Sequence, residues 1–110
     1  MFHQRKTILL KAPGRRRTVA AYEDDYLVVR DFIYQILKEE KEILIIDLIE
    51  RAHAQLSDKL DGDLGWYVIN VKQDMESKGL IKLVPAGASQ KFPMIRLAKK
   101  RMLVRSSIAE

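Results

Sequence analysis

The chain has 110 residues, 47% of them hydrophobic and 32% charged, which fits one domain and excludes a disordered or membrane-embedded chain. With no cysteine, disulfides, thiolate nucleophiles and sulfur-based zinc sites are ruled out. The net charge of +5 hides three blocks, about +6 over residues 1–22, −7 over 23–63 and +6 over 64–110. If the two ends converge, the molecule has a basic face able to attract phosphates; an ordinary soluble surface with basic tails is the alternative. The longest apolar runs, such as Ile43 to Ile46, fall far short of a bilayer span, and residues 1–11 lack the pattern of a signal peptide. A cytoplasmic protein without a membrane partner is therefore expected.

Residues 1–22 form a basic N-terminal segment. Thr7 to Leu10 and Thr18 to Tyr22 read as short strands around Pro13-Gly14, a pair suited to the centre of a type II turn. The segment reads either as a hairpin with Arg15, Arg16 and Arg17 near its tip or as a disordered tail.

From Asp24 to Glu40 the period becomes helical. Tyr26, Val29, Phe32, Ile33, Ile36 and Leu37 make one apolar stripe, and Glu23, Asp24 and Asp25 complement the positive end of the helix dipole. Glu42 to Ile46 reads as a short strand. A second helix is then expected from Asp47, with Asp47 and Glu50 at capping-box spacing and Leu48, Ile49, Ala52 and Leu56 facing inward. Asp63 is a good N-cap for a third helix, whose stripe is Leu64, Tyr67, Val68, Val71 and Met75 and whose natural stop is Gly79. Leu80 to Val84 and Phe92 to Leu97 read as strands around a small, polar loop. Residues 99–110 form a basic tail with Met102, Leu103, Val104 and Ile108 as anchors on a neighbouring surface or second subunit.

The stretch VINVKQDMESKGLIKLV, Val68 to Val84, resembles the third helix and first wing strand of the winged helix-turn-helix superfamily. Gly65-Trp66-Tyr67 followed by Val71-Lys72 is similar to small bacterial winged-helix proteins with no activity to carry over. The resemblance covers about residues 25–98. It implies an α+β, mainly α fold: a three-helix core with a C-terminal β-hairpin wing, placed at residues 23–98. Many members of the superfamily bind DNA through the third helix, while others only hold proteins together.

At about 100° per residue, Trp66, Ile69, Asn70, Gln73 and Ser77 are expected to face outward from the third helix. Asn70 and Gln73 are types that read adenine, and Lys72 can reach phosphate. Arg15, Arg16, Arg17, Lys91 and Arg96 complete the expected contacts to double-stranded DNA, which would make the protein a transcriptional regulator. Asn and Gln on a solvated helix face, and basic residues in a tail, are the plain alternative. Asp74 and Glu76 oppose a groove-binding role, and exposed Trp66 and Ile69 suit a protein partner or the chain's own N-terminal arm. A homodimer is expected, because one small domain rarely buries enough surface for specific DNA binding.

Nothing points to an enzyme. His3 and His53 have no second metal ligand at a suitable spacing, Asp58, Asp61 and Asp63 lack the order of a calcium loop, and no phosphate-cradling or nucleophile motif is present. No metal, cofactor or small-molecule substrate is inferred.

Overall fold

The structure, a computed structural model, describes residues 5–14, 16–60, 62–84 and 93–98. Arg15, Lys91 and the expected tail at 99–110 lie outside the described residues. The described residues form a small α+β fold of three helices and two antiparallel sheets.

Strands β1 (Thr7–Leu10) and β2 (Val19–Tyr22) pair antiparallel, from Thr7 opposite Tyr22 to Leu10 opposite Val19. The hairpin reading of the N-terminal segment therefore holds, and Gly14 adopts the φ of +75° that the turn requires. Period-two alternation puts Leu10 and Ala21 into the core while Leu9 faces out.

Helix α1 (Glu23–Glu40) buries all six residues of its predicted stripe. Lys41, with φ +70°, closes it and donates its backbone N–H to the Leu37 carbonyl at 3.1 Å. Strand β3 (Glu42–Leu44) leads directly into α2 (Ile45–Leu56). This corrects the expected capping box. Leu44 is paired with Met94 and serves as the N-cap with extended backbone, so Asp47 is already helical and cannot cap. Asp47 instead places its charge in the first turn, where the dipole favours it.

Helix α3 (Leu64–Ser77) begins as expected, with the Asp63 carboxylate accepting the Trp66 N–H at 3.3 Å. It ends in a Schellman arrangement. The Leu80 N–H reaches the Met75 carbonyl and the Gly79 N–H reaches that of Glu76, with Gly79 at φ +74°.

Strands β4 (Ile81–Val84) and β5 (Met94–Leu97) pair antiparallel. They are not a separate C-terminal hairpin, because β3 adds to the other edge of β5 and gives the order β3-β5-β4. Ile43, Ile95 and Leu83 stand in one cross-strand row, and Ile95 at its centre is fully buried against the helices. A single core joins the stripes of all three helices to Leu10, Ala21, Ile81 and Ile95. No helix among the described residues is long and apolar enough to cross a membrane.

Candidate nucleic-acid interface

Helix α3 is packed over more than half its circumference, because α1, α2 and the β1–β2 hairpin all lie against it. Two expected contacts are corrected by that packing. Asn70 is only 8% exposed, and its side-chain amide donates to the Trp66 carbonyl at 2.9 Å. Lys72 is 6% exposed, and its Nζ lies 3.0 Å from the Glu76 carboxylate. Asn70 does not face outward as expected, and Lys72, expected to reach phosphate, is turned into the packing. The uncovered strip is narrower, with Trp66 and Ser77 exposed and Ile69 and Gln73 half-buried. Trp66 keeps 37% of its surface and meets the Tyr67 ring edge-on, with centroids 5.0 Å apart.

The hairpin is fastened to this helix along one flank of that strip. Asp74 is fully buried; its Oδ1 accepts the Lys11 backbone N–H at 3.0 Å, and its Oδ2 accepts the Tyr26 hydroxyl at 2.9 Å. Lys78 Nζ approaches the same Oδ2 at 2.8 Å. Burial pushes the Asp74 carboxyl up, but Lys78, the Lys11 N–H and the Tyr26 hydroxyl outweigh it and hold the group below the usual carboxylate range. The Asp74 hydrogen bond and charge push Lys78 above its ordinary value, while burial first and then Asp74 raise Tyr26.

Two further ties secure the hairpin. The Tyr22 N–H donates to the Tyr67 hydroxyl oxygen at 3.0 Å, and burial raises the Tyr67 pKa. Arg5 bridges Asp24 at 2.7 Å and Asp25 at 3.0 Å, lies over the Tyr22 ring, and holds the Asp24 carboxyl below its ordinary range. These contacts were missed in the sequence, where Asp74 counted only as a charge opposing DNA. The available signal is its place on the apolar stripe, three residues after Val71 and seven after Tyr67.

The cations fall unevenly. Lys11, Arg16 and Arg17 are exposed between β1 and β2, Lys78 is half-exposed beside them through Asp74, and Lys82 is exposed on β4. Arg96 is half-buried, with Glu42 at 3.6 Å. The acidic block is split by α1, which at 18 residues is about 27 Å long. Asp24 and Asp25 meet Arg5 at its start, whereas Glu39 and Glu40 meet Arg51 at its far end. His53 is exposed on α2, and the described residues contain no group of three His, Cys, Asp or Glu placed to hold a metal.

A family model described as a family of unknown function (DUF6958) matches residues 7–92. No curated protein and no solved structure matches the chain. The chain belongs to that family of unknown function.

Proposed function

We propose that this member of the DUF6958 family is a winged-helix protein that binds double-stranded DNA and regulates transcription. The element order α1-β3-α2-α3 followed by β4 and β5 supports the winged-helix reading, with the β3-β5-β4 sheet as its wing sheet. The observation that carries the DNA reading is the fixed position of the cationic hairpin beside the uncovered strip of α3. Asp74, which holds Lys11, lies only about 100° around the helix from Gln73.

Arg16 and Arg17 supply phosphate contacts with Lys11, and Lys82 extends the cationic surface onto β4. Gln73 is the base-reading side chain that remains on α3, and Trp66 and Ile69 offer apolar contacts to thymine methyls. Asn70 and Lys72 leave the contact set because they are buried.

The test is selection from a random-sequence duplex pool, followed by titration of retained duplexes between about 50 and 200 mM salt. A sequence motif and a steep loss of affinity with salt are expected. Arg16→Ala with Arg17→Ala lowers affinity for every duplex, whereas Gln73→Ala relaxes the motif. Salt-independent binding or no retention overturns the reading.

One observation favours a second reading, a protein-interaction module centred on Trp66. The exposed surface of α3 carries Trp66 but no cation, because Lys72 is buried and paired with Glu76. In that case Trp66→Ala abolishes capture of a protein partner and leaves DNA retention at background.

A further inference from the structure

Helix α1 leaves one continuous stripe uncovered: Asp24, Leu27, Asp31, Gln35 and Lys38. Along its C-terminal half the stripe opens into a groove of about 720 Å³, walled on the other side by Leu80, Leu97 and Ala98. Five α1 residues line the groove: Asp31, Tyr34, Gln35, Lys38 and Glu39. The first four are symmetric about the midpoint between Tyr34 and Gln35, with an acid at one end and a base at the other, and Glu39 stands one position beyond them. A helix of that pattern is complementary to itself when run antiparallel. Asp31 then faces Lys38 of a second copy, Lys38 faces its Asp31, and each Tyr34 hydroxyl faces a Gln35 amide.

We infer that this chain forms a two-fold dimer in which the α1 helices of two copies pack antiparallel across this groove. The occupant is a second copy because the same four positions supply both halves of the contact, as a closed isologous interface requires. A stripe along α1 alone falls short of the roughly 800 Å² per partner of a stable interface. Leu80 and Leu97 supply the additional apolar surface. The inference is independent of DNA binding, since no residue of the hairpin or α3 takes part.

Sedimentation velocity on the full chain tests it. The Asp31 side chain is 68% exposed in a surface pair with Arg30 at 3.0 Å, and Lys38 is exposed, so charge reversal leaves the fold intact, which circular dichroism verifies. The parent sediments as a concentration-dependent dimer. Asp31→Lys alone and Lys38→Asp alone each weaken the dimer by about tenfold or more through like charges across the two-fold axis. The double variant Asp31→Lys with Lys38→Asp restores it. A parent that stays monomeric up to millimolar concentration overturns the inference, as does a dimer indifferent to the single reversals or a double variant no better than the singles.

Discussion

The Lys11 backbone N–H lies 3.0 Å from Asp74 Oδ1, a bond that spans 63 positions of the chain and ties the N-terminal hairpin to α3. Because Asp74 also takes the Tyr26 hydroxyl and the Lys78 ammonium, one buried carboxylate joins α1, α3 and the hairpin. Its charge is compensated by close donors, the condition under which a buried carboxylate is tolerated.

Asp74→Ala leaves the Lys11 N–H and the buried Tyr26 hydroxyl without their acceptor, and a destabilisation of about 3 kcal/mol is expected. Urea unfolding measures it as a lower midpoint with an unchanged slope. A loss under about 1 kcal/mol would show that water replaces the carboxylate freely.

That cluster and the Arg5–Asp24 pair set a pH window. Asp24 and Asp74 are held below the ordinary carboxylate value of 3.8, so their contribution is complete above that value and is lost as pH falls through the depressed folded values. Tyr26 and Lys78 are raised above 10.0 and 10.5, so their contribution is complete below those values and is lost as pH rises through the raised ones. Thermal midpoints are therefore expected to be flat between the two limbs as far as these groups act, with a fall at each end. Asp74→Asn removes the Asp74 share of the acid limb; an acid limb identical to the parent's would assign it to other carboxylates.

Gly79 terminates α3 with φ +74°, and an added Cβ there meets nothing within 4 Å. The cost of Gly79→Ala is thus conformational alone, about 1 kcal/mol, and is read from the shift in urea midpoint. A loss several times larger would indicate a packing role for the position.

Much of this architecture is local and therefore legible in the sequence. The stripe from Tyr26 to Leu37, the Asp63 cap and the Gly79 stop each depend on neighbours within a turn or two of one helix. The errors arise where distant chain decides. A single stripe implies a helix packed on one side, but α3 is covered from three directions, and that turns Asn70 and Lys72 inward. Asp47 has the spacing of a cap, yet pairing of Leu44 with Met94 fixes the helix start upstream. For the candidate site, the arginines at the hairpin and the exposure of Trp66 were readable from composition and period. The Asp74 anchorage was not, because its partners come from residues 11 and 26.

The two leucines at the end of β1 separate an integral hairpin from a loosely attached arm. Leu10 is fully buried and belongs to the same core as the three helices, whereas its neighbour Leu9 is 65% exposed. Leu10→Ala removes apolar surface and leaves a cavity between the hairpin and the helices, at an expected cost of about 2–5 kcal/mol. Leu9→Ala falls within about 0.5 kcal/mol of the parent, as surface substitutions do. Urea unfolding of the pair supplies the comparison. If both variants match the parent, the hairpin contributes nothing to the core, and the Lys11–Asp74 bond does not hold it on α3 in solution. The predicted asymmetry would instead establish that the cationic tip is carried on a rigid mount, so its distance from Gln73 is set by packing before any ligand arrives.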